Sequence, residues 1–476
     1  MNDKDRIYLR QNVAWMDADM DTPITLYFKA VENEDAILLE SAEVDGRWGR
    51  YSLLCCNMGL IAYCMKGRLR LDIRDRRFEP LKTYEGMPFI EGIRTLLEKI
   101  EYVDCPTELP PITRALYGYF GFGMAAIFNP YLANAMPEAD LQAALAIPNT
   151  TFVFDHLYNR LYQLSLDEPR SILNLAILPS EKIDIGNIKS TPDEKGYKQF
   201  VINIREQLRQ GEAIQVVPSV RFCADFEGDP FQLYRRMRNF NASPYMFFMR
   251  FPKITLFGAS PEVMVRCTQN RLELSPIAGT RRRGKTEQED AKLAQELLSD
   301  PKERAEHVML VDLGRNDLGR LAKPGSVQVD RLMQIQKFSH VMHITSDVSA
   351  DLAPVTSDGR KADALDVLAA TFPAGTVSGA PKIRALEIIA EMEGMDRGPY
   401  AGCIGWLGLD KDTVNLDMGI TIRSMWVKDG KLCWQAGGGI VHDSDPDLEW
   451  KEVNNKSAIM RLALNLEDSS HVSANR

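Results

Sequence analysis

The chain has no run approaching eighteen consecutive apolar residues, so its sequence offers no membrane-spanning helix. Its opening residues, MNDKDRIYLRQNVAW, lack an apolar core of signal-peptide length, which predicts a cytoplasmic protein. Clustered positive charge is also missing. Basic residues number 57 against 66 acidic ones, for a net charge of -9, and the longest basic run is Arg281, Arg282 and Arg283. A nucleic-acid footprint is therefore lacking, and the acidic balance mainly favours solubility. The eight cysteines, at 55, 56, 64, 105, 223, 267, 403 and 433, form no C-x-x-C pair and have no histidine at zinc spacing. That predicts neither a zinc site nor a disulfide framework, but reduced and mostly buried thiols. Cys403, in A-G-C-I-G at 401–405, misses a nucleophile elbow because position 401 is alanine and the run reads as a strand.

What the chain does have is size and acidic pairs. At 476 residues and 45% hydrophobic it can bury a large core, in two or three domains or in one domain with an elaborate sheet. Glu303/Glu306 and Glu449/Glu452 are each spaced three apart on segments that read as helices, so each pair shares a face. Together they offer carboxylates to a hard divalent cation, which takes one or two directly and keeps waters and room for an anionic substrate. A plainer reading stands beside this one. Asp300, Pro301 and Glu303 fit an N-cap, N1 and N3, and Lys456 follows Glu452 at the spacing of a surface ion pair. The helix from Pro301 to about Gly314 carries Val308, Met309, Leu310, Val311 and Leu313, which predicts burial. Burying Glu303 and Glu306 without a cation is costly.

Residues 24–78 read as short strands, at 36–39, 51–54, 60–65 and 69–73, making a β-rich N-terminal part. A helix follows at 89–100, a strand-like run at 116–122 and a hairpin over 151–166 through Tyr158-Asn159. Prolines at 169, 179 and 192 mark a connection to the second half. There, helices are expected at 193–210, 287–299, 301–314, 361–371, 380–393 and 446–464. Strands are expected at 213–223, 246–251, 255–258, 263–267, 272–274 and through 401–441. The blocks of strands and helices predict an α+β fold, with division into 1–167, a connection 168–192, 193–464 and a tail 465–476.

Several loops and side chains could carry chemistry. G-T-V-S-G-A-P-K at 375–382 lacks the spacing of a nucleotide loop but looks like a turn feeding a helix N-terminus, where an anion can sit. Gly437, Gly438 and Gly439 let backbone N–H groups approach a ligand, or simply make a bend. Arg423 interrupts an apolar strand with a group suited to carboxylates. His343, amid apolar neighbours, reads either as a proton carrier or as a satisfied core histidine.

Four segments in order, S-P-I-A-G-T-R at 275–281, E-H-V-M-L-V-D-L-G-R-N-D-L-G-R at 306–320, the 375–382 loop and Q-A-G-G-G-I-V at 435–441, closely resemble the chorismate-utilising enzymes. Within that family the resemblance is closest to anthranilate synthase component I, strong over about 190–464 and weaker over about 20–165. It implies large antiparallel β-sheets sandwiched with helices. It also implies Mg2+ held by Glu306 and Glu452, with Glu303 and Glu449 assisting through water, and the ring carboxylate of chorismate on the metal. Tyr400 and Arg423 would hold the enolpyruvyl carboxylate, with Gly279, Thr280 and Gly437 to Gly439 lining the pocket. Glu262, in G-A-S-P-E at 258–262, would protonate the departing C4 hydroxyl. Thr376 would line the site, and His343 would assist proton removal and pyruvate loss.

Two neutral positions choose the reaction within the family. Relatives that add water carry a lysine at the place of Gln215, and aminodeoxychorismate synthases typically carry one at the place of Ala278. With both amines absent, the resemblance implies attack by ammonia itself, giving anthranilate and pyruvate. L-L-E-S at 38–41 and N-A-S-P-Y-M at 241–246 resemble the family's tryptophan feedback site, with Ser41, Pro244, Tyr245 and Met246 as contacts. Ala242 departs from the usual proline. No glutaminase signature is visible, so ammonia would come free or from a glutamine amidotransferase subunit, component II, in a heterotetramer. The rival readings are an aminodeoxychorismate or 2-amino-2-deoxyisochorismate synthase, and a non-catalytic tryptophan or metal sensor.

Overall fold

The computed structural model describes residues 6–465, apart from 19, 32–33, 41–48, 107, 171, 173–181, 241–242 and 338–340. The fold is α+β. Among the described residues, 21 strands join in one branched, antiparallel hydrogen-bonded network, and Ile7–Arg10 pairs in parallel with Ile100–Val103 in a separate sheet. Its trunk is the pair Tyr51–Met65 and Leu141–Asp155, both long and buried along nearly their full length. The two strands expected at 51–54 and 60–65 are thus one, bulged between Met58 and Leu60.

Arg68–Ile73 flanks the trunk, as does Arg160–Ser165 with Asn12–Asp17 beyond it, and two longer branches leave it. One runs through Ala36–Glu40 to Tyr245–Phe251, Ile254–Ser260, Ser424–Lys428, Lys431–Gly437 and Ser219–Glu227. The other runs through Ala115–Phe120 to Cys403–Gly408, Leu416–Ile420, Val263–Thr268, Arg271–Leu274 and Val341–Asp351. The chain crosses between branches at two links, Pro261-Glu262 and Thr421-Ile422-Arg423, which therefore lie together. Arg423 stands there with φ of 50°, a backbone position unusual for a non-glycine residue.

Helix Glu194–Arg209 starts on the Asp193 cap, whose side chain accepts from Gly196 N, and it packs on helix Pro446–Ala463. Helix Pro301–Gly319 starts on Asp300, which accepts from Lys302 N and Glu303 N. It runs past Gly314 because that glycine is buried against Leu274, Pro276 and Val348 instead of ending the helix. Burial of the whole helix, expected from its apolar run, is corrected. Only one face is covered, Val308 remains 45% exposed, and Arg304, Asp312 and Arg315 face solvent.

Three other expectations change. The strand expected at 213–223 is broken: Gln215–Val216 pairs with Gly379–Ala380, and beyond Pro218 a separate strand, Ser219–Glu227, pairs with Lys431–Gly437. The connection 168–192 contributes Asp184–Ile185 and Lys189–Thr191 to that second strand. Cys223 and Cys433, expected as thiols, face each other across the antiparallel pair and form a disulfide, their Cα atoms 4.2 Å apart. Their closeness follows from a register between segments 210 residues apart, which cysteine spacing does not reveal. Among the described residues no helix is long and apolar enough to cross a membrane.

Candidate active site

A cavity of about 650 Å³ opens where the two branches cross, between helices Pro301–Gly319 and Pro446–Ala463. Gln215, Glu262, Gly279, Thr280, Glu303, Glu306, His343, Thr376, Tyr400, Arg423, Gly437, Gly439, Glu449 and Glu452 all line it. Gly438 lies just behind, where a Cβ would stand 3.0 Å from Glu449 Oε2. Side chains more than 200 residues apart in sequence thus share one chamber.

Glu262 occupies the first crossing link. Burial lifts its carboxyl to about 7, against the opposing pull of Thr376, Lys456 and Arg423. Thr376 lies close enough to influence that carboxyl, yet its buried Oγ1 makes no hydrogen bond of good geometry within the protein. An unsatisfied hydroxyl on the wall suits a polar ligand. His343 Nδ1 stands 2.8 Å from the carbonyl of Gly279 and 3.1 Å from Thr280 Oγ1. The carbonyl can only accept, so Nδ1 carries the proton and Nε2 is the basic nitrogen of the neutral ring. Desolvation, with Arg423 adding to it, pushes the imidazole below its ordinary value and keeps it neutral.

The four glutamates face this chamber from two helices and are not equivalent. Arg281 donates to Glu303 Oε1 at 3.0 Å, and Lys456 pairs with Glu452 Oε1 at 2.7 Å. Burial, then the charges of Glu303 and Glu452, hold the Glu306 carboxyl above its ordinary range. Gln215 Nε2 reaches Glu306 Oε1 at 3.5 Å, the long end of a hydrogen bond. Glu449 is raised by burial as well, and its Oε2 has no hydrogen-bond partner. Among the described residues no three acidic, histidine or cysteine side chains converge as ready metal ligands. The set nevertheless fits a cation that takes two carboxylates and retains waters, because crowded acid groups and an orphaned buried oxygen are what such an ion satisfies.

The glycine run is explained by close approach. A Cβ on Gly437 would lie 2.5 Å from the Pro218 carbonyl and 3.0 Å from the Tyr400 hydroxyl, and one on Gly439 would lie 2.5 Å from Gln215 Nε2. Burial pushes the Tyr400 hydroxyl up to about 12, so it stays a donor.

Sequence reasoning missed the cavity roles of Lys456, Lys302 and Ser243. Lys456 also donates to Gly437 O at 3.0 Å, so the surface pair with Glu452 is a wall of the chamber. Of the tryptophan set, Pro244 lines the same cavity, Tyr245 donates its hydroxyl to Asp417, and buried Met246 pairs with Glu40; Ser41 lies outside the described residues. Cys403 is fully buried in its strand, and desolvation drives its thiol far up, away from nucleophilic use.

Residues 70–461 match the family described as chorismate binding enzyme. Anthranilate synthase component 1 of Aquifex aeolicus (strain VF5) is 39% identical, with 95% of this chain and 94% of that protein covered. The protein of the same name from Pseudomonas aeruginosa is 37% identical, with 95% of each covered. Among solved structures, anthranilate synthase component I from Streptococcus pneumoniae TIGR4 superposes with a TM-score of 0.73 at 32% identity, over 94% of this chain and 99% of that one. The menaquinone-specific isochorismate synthase MenF from Escherichia coli shares the fold, with a TM-score of 0.70 at 18% identity over 96% of each chain.

Proposed function

The chain belongs to the chorismate binding enzymes, and from that premise we propose that it converts chorismate and ammonia to anthranilate and pyruvate, as anthranilate synthase component I. This is the first committed step of tryptophan biosynthesis. The observation that carries the reading within the family is the pair Gln215 and Ala278, both on the cavity wall and both without an amine. Of the two lysines that do line the cavity, Lys302 is exposed to solvent and Lys456 has its ammonium engaged by Glu452 and the Gly437 carbonyl. Ammonia is then the nucleophile.

Tyr400 and Arg423 hold the enolpyruvyl carboxylate, and Gly279, Thr280 and the glycine run bound the ring. Ammonia attacks C2 while Glu262 gives its proton to the departing C4 hydroxyl, releasing water and leaving 2-amino-2-deoxyisochorismate. His343, neutral and basic at Nε2, then assists removal of the C2 proton while the C3–O bond breaks, the ring becomes aromatic, and the departing enolpyruvate takes a proton at its methylene carbon to become pyruvate. Glu306 and Glu452 would hold Mg2+ directly, with Glu303 and Glu449 through water, and the ion would supply positive charge to the ring carboxylate.

The fitted partner is a glutamine amidotransferase subunit, and L-tryptophan is the feedback inhibitor. In the division into 1–167, 168–192 and 193–464, the first part contributes Ser41 to inhibitor binding and the third contributes Pro244, Tyr245 and Met246. Purified alone with Mg2+, the chain is expected to make fluorescent anthranilate from chorismate and ammonium and to fail with glutamine. Accumulation of 2-amino-2-deoxyisochorismate by mass, without pyruvate, would replace this reading with a synthase that stops early.

A further inference from the structure

Behind the cavity lies an ion pair that no step above uses. Arg397 is 0% exposed and its partner Glu393 1%. The guanidinium forks onto the carboxylate, Nε to Oε2 at 2.9 Å and NH2 to Oε1 at 2.6 Å. It also donates to the carbonyls of Val217 at 2.6 Å and Val377 at 3.0 Å, and both valines line the cavity. Its Cζ lies over the rings of Phe122, at 4.6 Å from the centroid, and Tyr400, at 5.7 Å. On the far side, Glu393 Oε1 accepts from Ser219 N at 2.8 Å and Ser219 Oγ at 2.7 Å. Gln435, another cavity residue, donates to that hydroxyl at 2.7 Å.

We infer that Arg397 is a positioning residue of this site, its clamped guanidinium fixing the Gln215–Val217 segment, the Gly375–Val377 turn and the Tyr400 ring relative to one another. Each of these three walls carries a group that lines the cavity: Gln215, Thr376 and Tyr400. Ion pairs withdrawn from water add little net stability, because desolvation cancels most of their attraction. Their geometry is what distinguishes them from an apolar plug. Only a planar fork can meet two carboxylate oxygens and two carbonyls from different segments at once, and a lysine ammonium cannot. Displacement of a substrate-holding group by a fraction of an ångström is costly, since a misplacement of about 1 Å can reduce turnover by about a hundredfold.

The inference rests on the reading of this cavity as the chorismate site. Arg397→Lys and Ser219→Ala are assayed in the full chain with Mg2+ and saturating ammonium, beside Leu386→Ala, which opens the core on the helix Lys382–Glu393, about two turns before Glu393 and at none of the clamp's hydrogen-bonding residues. Arg397→Lys is expected to raise KM for chorismate at least about tenfold, and Ser219→Ala by a smaller factor. Leu386→Ala should lower Tm and leave that KM unchanged. Ser219→Ala carries the test if Arg397→Lys does not fold. A lower kcat that merely follows the folded fraction, with KM for chorismate unchanged in both clamp variants, would overturn the inference. Failure of the unaltered chain to consume chorismate would instead remove the reading of the cavity.

Discussion

Glu262 shows how one residue's surroundings set its chemistry. Burial lifts the carboxyl from its ordinary 4.5 to about 7. The native protein therefore holds this proton more tightly than the unfolded chain does, so the associated stability is complete below about 4.5 and is lost as pH rises through about 7. The same shift keeps an acid available near neutrality. With free ammonia held constant across the pH series, kcat/KM for chorismate is expected to fall on the alkaline side with a midpoint near 7. Glu262→Gln should lose about 10²–10⁴ in kcat, and a variant with unchanged kcat would remove this residue from the proton path. Glu306 is tested by a different readout. It is crowded by Glu303 and Glu452, a repulsion that a cation relieves. Glu306→Gln should raise the Mg2+ concentration needed for half-maximal activity at least about tenfold, whereas full activity at the original concentration would sink the metal assignment.

Elements carry these residues into place, and the glycine run is where two of them meet. Gly437 ends the strand Lys431–Gly437, and an added methyl there would strike the backbone carbonyl of Pro218, which cannot swing aside. Gly437→Ala should therefore cost about 1–3 kcal/mol of stability and lower Tm. At Gly438 the obstacle is the movable carboxylate of Glu449, 3.0 Å away. Gly438→Ala should keep its Tm by calorimetry and shift the Mg2+ titration, and the reverse pattern would refute the placement of Glu449. The legibility of elements in the sequence follows the same logic. Helix starts with a side-chain cap, such as Asp193 and Asp300, could be read locally because the cap and the first turn are neighbours. The break at Pro218 could not, because Gln215–Val216 exists only by pairing with Gly379–Ala380. Lys456 was hidden for a related reason: its spacing from Glu452 is that of a surface pair, and only the approach of Gly437 makes it a cavity wall. The Arg397–Glu393 clamp also has helical i,i+4 spacing, and nothing in that spacing announces two valine carbonyls from elsewhere.

At the scale of the whole molecule, the sheet joins the segment resembling a tryptophan site to the chorismate cavity. Strand Ala36–Glu40 pairs with Tyr245–Phe251 so that Glu40 lies opposite Met246, and Pro244, the residue before that second strand, is on the cavity wall. Glu40 is anchored by Arg238 at 2.9 Å and by the hydroxyl of Tyr234, so this end of the pair is held to helix Pro230–Phe240. Met246 is thus two residues along the chain from Pro244, and a ligand held at Glu40 and Met246 would adjoin the cavity wall. For such a ligand to inhibit, it must favour a placement of Ser243 and Pro244 that binds chorismate less well. Linkage then requires the converse. Whatever factor tryptophan adds to the apparent dissociation constant of chorismate, chorismate must add to that of tryptophan. Measured calorimetrically without ammonium, millimolar L-tryptophan is expected to raise the dissociation constant of chorismate, and tryptophan binding should weaken by the same factor as chorismate is added. Ser41→Phe should abolish both effects and leave the uninhibited KM in place. Tryptophan affinity indifferent to chorismate would break the connection between the two sites, while leaving the assignment of the catalytic chamber untouched.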